Sequence, residues 1–316
     1  MSYIDGFVVA VPRDRKAAYL ALAEKAAPIF AEFGMRRMVE AWEAQVTDGQ
    51  VTDFRRAVKA TPDEAIVYSW IEYDSREARD AANAKMHADP RMERMGEMPF
   101  DGKRMIFSGF APLSPTPPAG PAGFVDGTLI PVREANRAAF EDMIGGLNEC
   151  FLAHGALRSV DAWGDDLMKG EVTDFYRAVA AEAGETCVFS FVEWADQATH
   201  DAAWPAIMAD PRMPKPGQGP MVFDGNRMVL GTFATILDTL HPAAQAAESP
   251  RRGGGRGGDA APWGRESRPR PRPVARLSPF GDEAVQRLQR SLVAVARQLH
   301  APDLVAMHLV RPVGDA

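Results

Sequence analysis

The sequence contains little cysteine and no long apolar run. Cys150 and Cys187 are its only cysteines, which excludes a disulfide framework and a zinc site built from four cysteines. No stretch approaches the roughly 20 apolar residues that a membrane-spanning helix needs, and Asp5 interrupts the start before a signal-like apolar core can form. These absences predict a cytoplasmic protein without a membrane span.

The overall composition is that of an ordinary globular protein. The chain has 316 residues, of which 46% are hydrophobic and 25% charged, and its formal net charge is -7. This balance excludes a collagen-like fibre and a wholly disordered chain. At about 100 to 200 residues per domain, the length suggests two domains.

An internal repeat is the most specific feature that the sequence does have. Trp42 recurs as Trp163, and the segments 51–54 and 89–92 recur at 172–175 and 210–213, always 121 residues later. Such a gap-free match predicts two copies of one unit. We therefore divide the chain into a first repeat at 1–113, a proline-rich linker at 114–122, a second repeat at 123–240, a basic linker at 241–280 and a terminal helical segment at 281–316.

Hydrophobic periodicity predicts the order β-α-β-β-α-β within each repeat. In the first copy we predict strands at 3–11, 35–44, 66–73 and 104–112 and helices at 14–33 and 76–88, the second capped by Ser75. Thr52 is expected to cap a further short helix at 55–58. This order is the ferredoxin-like α+β unit, in which both helices cover one face of an antiparallel sheet.

The third strand predicts what covers the other face of that sheet. Ile66, Tyr68 and Trp70 alternate with Val67 and Ile71, so both faces of the strand are largely apolar. A sheet that is apolar on both sides has to pack against a second sheet, which the second copy supplies. We predict that the two sheets form a closed or nearly closed pseudo-dimeric α/β barrel.

Several sequence strings point to a family. The strings YIDGFVVAVP, VTDFRRAV, YSWIEY, DPRM and FDGKRMIFSGF, each echoed in the second copy, closely resemble the YbaA-like family, a domain of unknown function numbered 1428. That resemblance implies the dimeric α/β-barrel superfamily, in which two units associate through their sheets. It implies a fold, and it implies no particular reaction. The chain is similar to a covalent version of such a dimer.

Charged residues that occur in both copies are the weak catalytic candidates. They are Glu72, Glu193, Asp53, Asp174, Arg56, Arg177, Arg104 and Arg227. A carboxylate such as Glu72, placed beside Trp70 in an apolar barrel, would have a raised pKa and could serve as a general base. The alternative, which we favour, is that Glu72 pairs with Arg104 or Arg56 at the end of its strand. Asp53 and Arg56 are likewise expected to form an i, i+3 ion pair.

The aromatic, histidine and cysteine residues offer few further candidates for a functional site. Trp42, Trp163 and Trp70 are either core residues or walls of a ligand pocket. The histidines show no spacing typical of metal ligands, and none of them is repeated in the other copy. Cys150 and Cys187 align with Ile29 and Ile66 and are interpreted as core hydrophobes. We expect neither a metal nor a cofactor.

The chain beyond the second repeat differs in composition. Residues 246–276 hold eight arginines against three acidic residues, and their Arg, Gly and Pro content predicts a disordered basic linker. Apolar residues at three- and four-residue spacings then predict an amphipathic helix. They are Val285, Leu288, Leu292, Val295 and Leu299.

Two functions from different classes follow from these patterns. The preferred one is a cytoplasmic barrel that binds a small apolar molecule between its two sheets. Its rival is a non-catalytic interaction protein, which would use the basic tail and the terminal helix to contact RNA or a protein partner. Nucleic acid is the less favoured partner, because only the tail is basic.

Overall fold

The structure, a computed structural model, describes residues 2–115, 120–213 and 222–240. The predicted basic linker at 241–280 and the terminal helical segment at 281–316 lie outside the described residues. The proline-rich linker lies partly outside them, since 116–119 are not described. No helix within the described ranges is long and apolar enough to cross a membrane.

Strands and helices follow one another in the predicted order in both halves. The first half contains β1 (Tyr3–Pro12), α1 (Lys16–Glu32), β2 (Arg37–Val46), α2 (Phe54–Ala57), β3 (Glu64–Tyr73), α3 (Arg76–Ala88), α4 (Pro90–Glu93) and β4 (Ile106–Pro112). The second contains β5 (Phe124–Arg133), α5 (Arg137–Ala153), β6 (Arg158–Asp166), α6 (Phe175–Ala178), β7 (Glu185–Trp194), α7 (Gln197–Ala209) and β8 (Val229–Asp238). Apart from the short helices, each half has the order β-α-β-β-α-β.

Side-chain caps begin α2, α3 and α4 of the first half. The Ser75 hydroxyl accepts a hydrogen bond from the Ala78 amide at 3.2 Å, as predicted for α3. The prediction for Thr52 is wrong, because the Asp53 carboxylate caps α2 by accepting from the Arg56 amide at 2.8 Å. A carboxylate one residue further along is equally suited to the capping position, so residue type alone did not locate it.

All eight strands form one closed antiparallel barrel in the order β1-β3-β2-β8-β5-β7-β6-β4. Two seams join the halves. At one seam β2 pairs with β8, where Trp42 faces Ala234, and at the other β4 pairs with β6, where Ala111 faces Trp163. Each edge strand of one sheet thus finds its partner in the other half, which leaves no free edge to aggregate.

The barrel interior is filled with aromatic side chains from both halves. Tyr68 stacks on Phe189 with ring centroids 4.4 Å apart, and Trp70 stacks on Phe191 at 4.1 Å. All four rings are at most 1% exposed. The predicted contact between two apolar sheet faces is confirmed, but the predicted ligand site between them is wrong, because these rings occupy that space and form the main core.

Helices α2 and α6 pack against each other and against this core. Two threonine hydroxyls link them across the halves: Thr52 donates to the Ala178 carbonyl and Thr173 donates to the Ala57 carbonyl, both at 2.6 Å. The long helices α1, α3, α5 and α7 instead cover the outer faces of the sheets. Any cavity beside the sheets therefore has to lie under these outer helices.

Candidate functional site

A cavity of about 590 Å³ lies between the outer face of the first sheet and helices α1 and α3. This volume falls within the range typical of small-molecule sites, about 300 to 1,000 Å³. Its apolar lining residues are Phe7, Val9, Leu22, Ala23, Ala26, Phe30, Met38, Ile71, Met86, Met92, Phe100, Met105 and Phe107. The polar lining residues are fewer: Asp5, Tyr19, Glu40, Ser69, Tyr73, Asn83, His87 and Asp89.

The periodicity of the elements explains why these residues meet. Successive side chains of a strand point to opposite faces, so Asp5, Phe7 and Val9 of β1 share the outer face. On α1, Ala23 and Ala26 lie three residues apart on the face toward the sheet. Because alanine is small, these two positions leave space where larger side chains would fill it.

Glu40 is a titratable group on the floor of this cavity. It lies on β2, it is 8% exposed, and its Oε2 accepts a hydrogen bond from the Tyr19 hydroxyl at 2.6 Å. Burial raises the pKa of Glu40 to about 7, although the hydrogen bonds from Tyr19 and Ser69 act in the opposite direction. Its carboxyl group can therefore take up or release a proton near neutral pH.

Asp5 supplies a second such carboxyl. It lies on β1, 6% exposed, and the Arg79 Nε lies 3.1 Å from its Oδ1. Burial raises the pKa of Asp5 to about 7, and the Arg79 charge limits the rise. The nearby Tyr73 hydroxyl is buried and has no hydrogen-bond partner within the described residues. A ligand in the cavity would thus meet two carboxyl groups that can change their protonation state near neutral pH, and one hydroxyl group that lacks a hydrogen-bond partner within the described residues.

A second, smaller cavity occupies the equivalent place in the other half. Its volume is about 170 Å³, and it lies between the second sheet and helices α5 and α7. Asp126 and Asp161 line it at the positions that match Asp5 and Glu40. The two halves therefore share a fold and a pair of acidic positions, and they differ in the space left for a ligand.

The predicted candidates Glu72 and Glu193 belong to a different place, an ion-pair cluster that joins the halves. Arg37 faces Glu72 within its own sheet, and Arg158 faces Glu193 within the other. Among these four residues the shorter ion pairs cross between the sheets: Arg37 to Glu193 and Arg158 to Glu72, both at 2.8 Å. Asp238 adds a further contact to Arg37 at 2.7 Å.

Glu193 is buried among the charged side chains of this cluster. Its side chain is fully buried, and burial raises the pKa to about 7 while Arg37 and Arg158 lower it. However, neither Glu72 nor Glu193 lines either of the two cavities. We propose that both serve to join the halves.

The predicted partner of Glu72 is wrong. Arg104 pairs instead with Glu64 at 2.7 Å, and the equivalent Arg227 pairs with Glu185 at 2.6 Å. The reason is that Arg104 lies before β4, next to the start of β3, whereas Glu72 lies near the end of β3. Glu72 and Arg158 lie in different halves. Their pairing could be predicted only from how one sheet is aligned against the other, and the sequence of a single repeat does not contain that information.

The other predicted charged pair has a local role. Arg56 Nε lies 3.3 Å from Asp53, and the equivalent Arg177 Nη1 lies 3.3 Å from Asp174. The predicted i, i+3 ion pairs are confirmed, and both aspartates also cap their helices. None of the four residues lines either cavity.

The three tryptophans that were candidates for a pocket wall lie elsewhere. Trp70 stacks inside the barrel, and neither Trp42 nor Trp163 lines a described cavity. Instead, the ammonium group of Lys16 lies 5.1 Å from the Trp42 ring, and Arg137 lies 5.1 Å from the Trp163 ring. These rings support the start of α1 and α5 through cation–π contacts.

Cys150 has polar neighbours that the sequence did not indicate. Its sulfur lies within 4.8 Å of the ligand atoms of His154 and Asp210, a group of side chains that could hold a metal ion. However, Arg212 and His154 already contact the Asp210 carboxylate at 2.7 and 2.9 Å, and this holds the pKa of Asp210 well below its usual range. Cys187 lies in the barrel core, as predicted.

Glu40, Tyr19 and Tyr73 are the cavity residues that sequence reasoning missed as site residues. The available signal was a glutamate within the apolar run of β2, at a position that belongs to the helix-covered face by strand alternation. A charged residue at such a position needs a partner or a function. For Asp5, the available signal was that its charge recurs in the second copy as Asp126.

Together, the closed eight-stranded barrel and the outer helices define a mixed α/β barrel with a cavity under its helices. The chain belongs to the family described as protein of unknown function (DUF1428), whose model matches residues 2–102 and 123–225. It is 65% identical over 111 residues to uncharacterized protein YbaA of Escherichia coli K12, which covers 35% of this chain and 95% of YbaA.

Two solved structures are similar to this chain over three quarters of its length. A candidate monooxygenase from Lactobacillus acidophilus has 13% sequence identity, covers 75% of this chain and 95% of its own, and gives a TM-score of 0.45. A candidate monooxygenase from Fusobacterium nucleatum has 12% identity, covers 75% and 93%, and gives the same TM-score of 0.45.

Proposed function

We propose that the cavity of the first half binds a small, largely apolar molecule that directs a hydrogen-bonding group toward Glu40, Asp5 and Tyr73. The observation that carries this proposal is the cavity of about 590 Å³, whose apolar walls surround a few buried polar groups. Apolar walls supply most of the binding free energy, and the polar groups fix the orientation of the ligand.

The two carboxyls give this site a capacity for proton transfer. The pKa of Glu40 and that of Asp5 both lie at about 7, so each group is partly protonated and partly ionised at neutral pH. Such a group can accept a proton from a bound molecule or return one to it. We therefore propose that bound ligands exchange protons with the floor of the cavity.

The sequence predicted a ligand site between the two sheets. The site proposed here lies instead under α1 and α3. We keep as proposals the repeats at 1–113 and 123–240, the pseudo-dimeric origin of the barrel and the cytoplasmic location. The alternative function, an interaction protein acting through its tail, depends on residues 241–316, which lie outside the described part of the chain. No described residue favours it.

A fluorescence titration tests the proposed site. The probe is N-phenyl-1-naphthylamine, a neutral aromatic amine whose emission rises in apolar surroundings. We expect saturable binding to the wild-type chain and loss of binding in Ala23→Trp, which fills the cavity. Ala21→Trp is the matched control, because Ala21 is exposed on the same helix. Absence of saturable binding, or equal binding by Ala23→Trp, would contradict the proposal.

A further inference from the structure

The two halves hold cavities of very different size at equivalent positions, about 590 Å³ in the first and about 170 Å³ in the second. Both cavities lie under helices of identical length: α1 and α5 have 17 residues each, and α3 and α7 have 13 each. The helices are therefore matched in length, whereas several side chains that line the two cavities differ in size. We infer that the chain has a single ligand site, in the first half, and that side-chain replacements have closed the equivalent site of the second.

The first replacements lie on the long helix beside the sheet. Ala23 and Ala26 of α1 correspond to Ile144 and Leu147 of α5, and all four residues line their respective cavities. Each larger side chain adds three carbon atoms to the space between helix and sheet. Ile144 is only 5% exposed, so it fills space that Ala23 leaves open.

The next replacement lies on the second helix. Asn83 of α3 corresponds to Trp204 of α7, and the Trp204 side chain is buried with 7% exposure. Its ring packs edge-on against Phe151 with centroids 6.1 Å apart. An indole ring is the largest apolar group that a protein offers, so this substitution alone removes much of the volume that a ligand would need.

The polar floor has changed in the same direction. The Tyr73 hydroxyl of the first cavity has no hydrogen-bond partner within the described residues, whereas its counterpart Trp194 donates to Asp126 at 2.8 Å. An unpaired buried hydroxyl lowers stability, and a ligand that pairs with it recovers part of that loss. In the second half, the side chain at the equivalent position already has a hydrogen-bond partner within the protein.

The acidic positions are hydrogen-bonded by the protein in both halves, since Tyr19 and Ser69 hydrogen-bond to Glu40 in the first. Asp161, which replaces Glu40, accepts hydrogen bonds on both carboxyl oxygens, from Ser190 at 2.5 Å and from Asn148 at 2.9 Å. Tyr19 reaches Glu40 from α1 in the first half, and Asn148, which stands where α1 has Ala27, reaches Asp161 from α5 in the second. Both acceptor oxygens of Asp161 are thereby already paired. The second half is a structural scaffold that completes the barrel, and the first is the binding half.

This inference rests on the proposed function, and a stoichiometry experiment separates the two. Equilibrium dialysis with N-phenyl-1-naphthylamine should give one bound probe per wild-type chain. Ala26→Leu, which copies the residue of the second half, should weaken binding at least tenfold, whereas Ala18→Leu on the exposed face of α1 should not. Leucine already occupies the equivalent position 147, so the fold accommodates it.

Introducing residues of the first half into the second tests whether Leu147 and Trp204 close its cavity. Leu147→Ala combined with Trp204→Asn should create a second probe site, which raises the stoichiometry to two.

Two bound probes per wild-type chain, or unchanged affinity in Ala26→Leu, would overturn the inference and leave the proposed function standing. A folded double variant that still binds one probe would contradict the role of these two positions. If that variant does not fold, the Ala26→Leu and Ala18→Leu pair decides the question. Complete absence of binding by the wild-type chain would overturn the proposed function itself.

Discussion

At the scale of single residues, Glu40 couples the cavity to pH. The folded protein holds this carboxyl under α1, where Tyr19 and Ser69 are its hydrogen-bond partners among the described residues, and burial raises its pKa from the ordinary 4.5 to about 7. Between these two pH values the folded chain binds a proton that the unfolded chain releases. The contribution of Glu40 to stability is therefore fully present below about pH 4.5 and is lost as the pH rises through 7.

Replacing Glu40 with glutamine should remove this pH dependence. Glutamine keeps an oxygen for Tyr19 but carries no charge, so Glu40→Gln should gain stability relative to the wild type by up to about 3 kcal/mol between pH 5 and pH 8. Urea unfolding at both pH values measures the change. The exposed Glu24→Gln is the control, and it should track the wild type. Parallel pH profiles for all three proteins would rule out a raised pKa at Glu40.

At the scale of elements, strands and long helices could be predicted from the sequence, whereas the cavity could not. Alternation in β3 marks both of its faces as apolar, and the three- and four-residue spacing on α1 marks Ala26 as facing the sheet. That spacing does not tell whether a small residue is packed against a neighbour or borders empty space. The answer depends on side chains from β1, β2 and α3, which the periodicity of α1 does not contain.

The contact between α2 and α6 can be tested at this same scale. Thr52→Val and Thr173→Val each remove a hydroxyl and leave a buried carbonyl of the other half without that partner. We expect each substitution to lower the free energy of unfolding by about 1 to 3 kcal/mol. Thr61→Val is the control, because Thr61 is exposed and bonds only within its own turn. Equal stability of all variants in urea unfolding would show that the hydroxyls do not hold the halves together.

At the scale of the whole molecule, the halves are joined by two strand seams, by the aromatic core and by the crossed ion pairs. A repeat in the sequence predicts that two sheets meet, because each has two apolar faces. It does not predict that Glu72 contacts Arg158 or that Tyr68 stacks on Phe189, since both contacts depend on the register of one sheet against the other. Interactions between copies are therefore the part of the fold that the sequence of a single unit leaves open.

Arg158→Met should strongly destabilise the barrel at pH 8, where Glu193 is ionised. It removes the closest partner of Glu72 and one of the two arginines beside the fully buried Glu193. Breaking a buried pair in this way typically costs about 3 to 5 kcal/mol. The exposed pair of Arg36 and Asp74 provides the comparison, and Arg36→Met should change the urea midpoint little. Similar midpoints for both variants would show that the crossed pairs contribute no more than surface pairs.

We propose that the ligand site lies under α1 and α3 of the first half, outside the barrel. A crystal structure of the protein with bound N-phenyl-1-naphthylamine tests it most directly. We expect one molecule of the probe between α1 and the outer face of β1, β2 and β3, with its amine near Glu40, Asp5 or the Tyr73 hydroxyl. A probe bound inside the barrel between Tyr68 and Phe189, or under α5 and α7 of the second half, would contradict it.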